Sequence, residues 1–158
     1  MAVFARSPRL LGLLLAIALL ALALVSLRFR STDSLTGSDV LHLGDVFFNG
    51  LYSFFDASSG GRFDGMIAAL AVGLELAGPE TRIIPGHGPL ATRADLTEHH
   101  DRLVEIRERT LAAIAAGQSK ADFIAGNPTA DLAAAFEGSY EVMKADRFLD
   151  LVYEDLAP

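Results

Sequence analysis

The sequence contains no cysteine, which excludes a disulfide framework and any thiolate site. It is also poor in basic residues, with 13 lysines and arginines against 20 aspartates and glutamates. Four of the basic residues and none of the acidic ones fall in the first 30 positions, so the other 128 residues are strongly acidic. Nucleic-acid binding requires a basic patch, and we therefore expect no nucleic-acid partner.

One long apolar run lies near the N-terminus. Residues 10–27, LLGLLLAIALLALALVSL, contain no charged residue and no proline. As a helix this run would span about 27 Å, close to the thickness of about 30 Å of a bilayer's hydrocarbon core. It predicts a membrane anchor with the acidic part outside the cytoplasm, in the periplasm. The alternative is a cleaved secretory signal, because Arg6 and Arg9 precede the run and Ala21-Leu22-Ala23 resembles a cleavage site.

We therefore divide the chain into a signal peptide or transmembrane anchor, residues 1–30, and a folded domain, residues 31–158. The pattern of the second part predicts the α/β (α+β) class in the order strand, helix, strand, and then helices only. Strands are expected at residues 40–48 and 81–85, separated by an aromatic-rich loop over 49–62 and an amphipathic helix over 63–77. Further helices are expected after the cap residues Thr92 and Ser119, and over residues 144–156.

Two places combine a reactive side chain with unusual backbone. Asp45 follows Gly44 where the first strand is expected to end, a position that suits a carboxylate binding a metal or orienting a base. His87 lies in Pro85-Gly86-His87-Gly88-Pro89, where glycines permit close approach and prolines restrict the backbone. The alternatives, a turn or cap role for Asp45 and a plain surface role for His87, stay open on these residues alone.

The other histidines and one further aspartate have structural explanations. His42 is three positions from Asp45, so strict strand alternation puts the two side chains on opposite faces, and we expect His42 to be packed or hydrogen-bonded rather than a third ligand. His99 and His100 are adjacent on a helix and are expected to be solvated. Asp64 is expected in the first turn of its helix, where it favours the helix dipole.

Three segments together resemble a known family. VLHLGDVFFNGLYSFFDASSGG, FDGMIAAL and TRIIPGHGPLATRADL are similar to the C-terminal half of the metallo-β-lactamase-fold hydrolases, over roughly residues 38–156. The resemblance implies half of an αββα sandwich, a complete family site with two zinc ions, and hydrolysis of an ester, thioester, amide or lactam in a small-molecule substrate. It also implies that Asp45 is the metal-bridging carboxylate and His87 a ligand of the second metal, with no catalytic residue beyond the metal ligands.

The family's HxHxDH motif, which supplies ligands from the first half of its fold, does not occur in this sequence. A catalytic zinc site takes about three protein ligands, and Asp45 and His87 provide two. We therefore expect a partial domain joined to an anchor segment, inactive without a complementing N-terminal half or self-association. The alternative is a catalytically inactive, membrane-tethered remnant or interaction module.

Overall fold

A strand-helix-strand unit, in which the two strands run parallel, organises the fold. The computed structural model describes residues 33–34, 39–136 and 143–158, which belong to one compact unit, Thr32–Pro158. Its sheet has the order β1-β2-β3, with β2 antiparallel to β1 and parallel to β3. The strands are β1 (Asp33–Ser34), β2 (Val40–Phe48) and β3 (Arg82–His87). The mixed α/β class predicted from the sequence is confirmed.

Four α-helices lie within the described residues. The crossover helix α1 joins β2 to β3, and three more helices follow the sheet. Two short 3-10 turns complete the secondary structure. The helices are α1 (Phe63–Leu76), α2 (Arg93–Ala115), α3 (Lys120–Ala125) and α4 (Ala145–Leu156), and the turns are Ala57–Ser59 and Ala130–Phe136.

The core forms between β2 and α1, with α2 packed on α1. Leu41 and Leu43 of β2 are buried, whereas His42 between them is exposed, as expected for a strand with one covered face. Gly73 lets α1 approach this face closely, because a Cβ there would lie only 3.2 Å from the Leu43 side chain. A glycine inside a helix costs about 1 kcal/mol relative to alanine, and here it permits the contact between helix and sheet.

The expected helix ends are confirmed by their hydrogen bonds. The Asp95 N–H donates to Thr92 Oγ1, and the Thr92 N–H donates to Asp95 Oδ2 at 2.7 Å, which completes a capping box at the start of α2. Gly117 follows the end of α2 with a φ of 71°. Ser119 caps α3 by accepting from the Asp122 N–H.

The first strand has the predicted bounds, but the place of Gly44 and Asp45 within it and the end of the second strand differ from the prediction. Gly44 and Asp45 lie in the middle of β2 and not at its end, because the strand continues through an irregularity in its pairing with β3. The second strand extends to His87, beyond its predicted end at Pro85. Proline at 85 is compatible with a strand at the margin of a sheet, where its missing N–H costs no ladder bond.

Helix α4 is fastened to α1 by a nearly buried carboxylate, that of Asp155. Its side chain is 3% exposed, with Oδ1 lying 2.9 Å from Arg62 Nε and Oδ2 accepting from the Phe63 N–H at 2.9 Å. Arg62 occupies the N-cap position of α1 but supplies no capping bond from its own side chain. Asp155 therefore caps α1 from a distant helix and compensates the positive end of its dipole.

Within residues 33–34, 39–136 and 143–158, no helix has the length and apolar character needed to cross a membrane. The apolar run over residues 10–27 lies outside the described residues.

Replacement of Asp155 by alanine should lower the free energy of unfolding by about 2 to 3 kcal/mol, since it removes a cap and a charged hydrogen bond together. The matched control is Glu154→Ala, because Glu154 is exposed and its partner Lys120 keeps a second carboxylate, Asp150. That control should cost less than about 1 kcal/mol. Urea unfolding of the full chain in a mild detergent measures both, and equal losses would contradict the capping role.

Candidate metal site

Asp45 is turned toward solvent by the backbone of Gly44. Strict alternation from the buried Leu43 would place Asp45 on the covered face of β2, yet its side chain is 79% exposed. The reason is the shift in register at Gly44, whose φ of 53° is strained for residues other than glycine. This irregularity interrupts the side-chain alternation at Asp45, and Phe47, two positions later, is buried again. His42 and Asp45 are therefore not held on opposite faces by strict alternation, and both residues are exposed.

His87 is held at the end of β3 by contacts with the end of β2. Its ring stacks on that of Phe48, with centroids 4.8 Å apart and planes inclined by 16°. Its backbone carbonyl accepts from the Asn49 N–H at 2.9 Å. The Asn49 side chain also donates from Nδ2 to the Pro89 carbonyl at 3.1 Å. These contacts fix both the ring and the backbone of His87.

The two glycines that flank His87 allow the strands to meet without side chains between them. A Cβ at Gly86 would overlap the Asp45 carboxylate and lie 2.6 Å from the Gly44 carbonyl carbon. A Cβ at Gly88 would overlap the Asn49 carbonyl, and the φ of Gly88 is 93°. The close approach and unusual backbone expected of Pro85-Gly86-His87-Gly88-Pro89 are both present.

These features bring Asp45 and His87 together. Asp45 Oδ1 lies 3.4 Å from His87 Nε2, and the His87 side chain is 42% exposed. Two ligands on one tetrahedral zinc ion, each at about 2.1 Å, are separated by about 3.4 Å. The pair therefore fits two adjacent positions of a zinc coordination shell, and both donor types, imidazole nitrogen and carboxylate oxygen, are ones that zinc accepts.

The remaining histidines do not join this pair. Across the described parts of the chain, no three histidine, aspartate or glutamate side chains form a group able to hold a metal ion. His42 is exposed on β2, opposite Asp33 in the ladder. The donor set at Asp45 and His87 therefore fits part of a zinc site but falls one or two ligands short of the usual number.

No protein-family model matches this chain, and no curated protein matches it significantly. Functional inference thus rests on the residues and their geometry.

The expectation that His99 is solvated is wrong, because its side chain lies in the core with 2% of its surface exposed. Nε2 lies 3.1 Å from the buried Ser53 Oγ, and the Phe47 ring is 5.2 Å away. The sequence held a signal for this position: His99 falls three residues after Leu96 and four before Leu103, on the buried stripe of α2. His100, one position further round the helix, is only partly buried.

The other candidates have structural roles. Asp64 lies in the first turn of α1, as expected, and its carboxylate accepts from Arg107 of α2, which lowers the pKa of Asp64. In the aromatic-rich loop, Tyr52 and Phe55 are buried, whereas Phe54 is 44% exposed. Tyr52 stacks on Phe136 with centroids 4.2 Å apart, which supports packing as the role of the loop's aromatic residues.

Replacement of Gly88 by alanine should destabilise the fold by more than the same change at Gly50. Both positions have positive φ, 93° and 73°, but a Cβ at Gly50 would meet open space. Gly50→Ala should therefore lower the free energy of unfolding only through the strained backbone conformation, by about 1 to 2 kcal/mol. Gly88→Ala must in addition move Asn49 away from His87. Thermal unfolding of the two variants gives the comparison, and equal melting temperatures would count against direct contact between the strands.

Acid should destabilise the protein through His99. Burial lowers the pKa of His99 to about 4, with smaller contributions from Arg102 and His100. The unfolded chain takes up this proton near pH 6.5, so stability falls as the pH drops from about 6.5 to about 4, by an amount on the order of 3 kcal/mol. Above about pH 6.5 both states hold a neutral imidazole and this dependence vanishes.

The measurement is the free energy of unfolding between pH 4 and 8 for the native chain and for His99→Gln. The variant should lose this part of the acid sensitivity, whereas His100→Gln, at the partly exposed neighbouring position, should retain it. An unchanged pH profile in His99→Gln would show that other groups cause the loss.

Proposed function

We propose that this chain contributes to a zinc-dependent hydrolase of the metallo-β-lactamase type, acting on an ester, thioester, amide or lactam. The supporting observation is the 3.4 Å separation of Asp45 Oδ1 and His87 Nε2, which come from neighbouring parallel strands. In this proposal the sheet with α1 and α2 is one half of an αββα sandwich. Residues 10–27 would anchor the chain, with the acidic domain in the periplasm, or be removed from a secreted form.

The two side chains have distinct tasks toward the metal. Asp45 offers a hard, anionic group with two oxygens, exposed enough to bridge two cations. His87 offers Nε2 from a ring whose orientation is fixed by Phe48. Zinc, when bound, supplies Lewis-acid chemistry that acidifies water and polarises a carbonyl.

Completion of the site requires ligands from another polypeptide or a second copy of the chain. The sequence holds four histidines. Of the three besides His87, His99 is in the core, His100 pairs with Asp101 on α2, and among the described residues His42 forms no metal-binding group with Asp45 and His87. Further imidazole ligands, if the site resembles those of the family, must therefore come from a complementing chain. The exposure of Asp45 and His87 leaves both accessible to it.

One observation favours the alternative of an interaction module without catalysis. In the described part of the chain, Asp45 and His87 have no third metal-ligating side chain beside them. On that reading Asp45 and His87 form a weak surface contact, and their removal has little effect on stability.

Zinc titration by isothermal calorimetry on the full chain distinguishes the two. We expect zinc to bind at micromolar concentrations and the affinity to fall at least tenfold in Asp45→Ala and in His87→Ala. The matched controls are Asp101→Ala and His100→Ala, which disrupt a second aspartate-histidine pair at 3.0 Å on α2. Absence of binding, or equal losses in the control variants, would refute the metal site and leave the interaction module.

A further inference from the structure

We propose that Asn49 is the positioning residue of the candidate metal site and sets the place of His87 relative to Asp45. This inference rests on the proposed function for its metal but on the structure for its geometry. Asn49 is the first residue after β2 and bonds to the backbone on both sides of Gly88. Its N–H donates to the His87 carbonyl and its Nδ2 donates to the Pro89 carbonyl.

The side-chain bond of Asn49 matters because of the glycine that it spans. Glycine has more backbone freedom than any other residue, and the φ of Gly88, 93°, is one that glycine alone adopts readily. His87 is also the last residue of β3, where the ladder ends at the Phe48 to His87 register. The amide of Asn49 is thus the contact that fastens the segment beyond His87 to β2.

The stacking of the His87 ring on Phe48 also depends on the hydrogen bond from Asn49 to Pro89. Phe48 is 8% exposed and therefore gives the His87 ring a fixed surface to lie on. We expect that loss of the bond to Pro89 lets the backbone turn at Gly88 and so shifts the His87 ring away from Phe48 and Asp45. Residues that orient a metal ligand in this way typically change metal affinity by about 10- to 100-fold when mutated.

The decisive variant is Asn49→Asp, which keeps the size of the side chain and removes its donor. The new carboxylate would face the Pro89 carbonyl, so the bond is replaced by repulsion. Its added negative charge would by itself strengthen cation binding, so weaker zinc binding can arise only from lost positioning. We expect the zinc affinity to fall by about tenfold or more.

Two further variants serve as controls for this test. Asn127→Asp makes the same change of charge at the one other asparagine in the sequence and should leave zinc affinity unchanged. Asn49→Ala removes the donor without introducing repulsion and should weaken zinc binding in the same direction if Asn49→Asp does not fold. A melting temperature close to that of the native chain shows that each variant is folded.

A measurement without metal separates this inference from the proposed function. Stacking on Phe48 shifts the ring protons of His87 upfield by the ring current, and nuclear magnetic resonance detects that shift in the metal-free chain. In Asn49→Asp these resonances should move to the values of an unstacked histidine. Unchanged His87 resonances would overturn the role of Asn49, whatever zinc does. Altered resonances in a chain that binds no zinc would uphold the positioning and refute the metal.

Discussion

Direct contact between the backbones of β2 and β3 is the constraint on which the candidate site depends. The strands meet where Gly86 and Gly88 leave no side chain between them, whereas Gly44 contributes a positive φ of 53°. A larger residue at 86 would collide with β2 and one at 88 with Asn49, the residue after β2. Separation of the strands would part Asp45 from His87. The glycines thus have a steric role that no hydrogen bond or charge could fill.

The helices maintain this contact from the covered side of the sheet. α1 lies against Leu43 through Gly73, and α4 is joined to the start of α1 by Asp155. Aromatic contacts join the loop after β2 to both helices, since Phe63 at the start of α1 contacts Phe55 of the loop and Phe148 of α4. The loop that leaves β2 is therefore packed against the same helices that support the strands, which keeps the end of β2 in place.

The sequence predicted the α/β class, the helices and their caps well, because these follow from local patterns. The capping box of Thr92 and Asp95 and the stripe of α1 require no knowledge of distant residues. The errors arose where tertiary contacts decide the outcome. The burial of His99 depends on Ser53 and Phe47, 46 and 52 positions earlier in the chain. The outward turn of Asp45 depends on a register shift that only pairing with β3 reveals.

The family resemblance implies one shared site for Asp45 and His87, and in the structure Asp45 Oδ1 lies 3.4 Å from His87 Nε2. Asn49 was not identified from the sequence, because an asparagine before glycine ordinarily indicates only a turn. Its bond to Pro89, 40 positions away, has no local signature. The contacts of β2 with β3 determine the geometry of this site.

The long stretch of chain between Asp45 and His87 also determines when they can act together. In a small zinc-binding module the ligands are close in sequence, so the metal can order an unfolded chain. Here a loop, the whole of α1 and the return into β3 separate the two side chains. Closing so long a segment costs entropy before any contact repays it, so the pair forms only after the crossover has folded. A metal ion would bind to the folded protein and would not induce its folding. A nascent chain that does not yet include β3 would present Asp45 without His87.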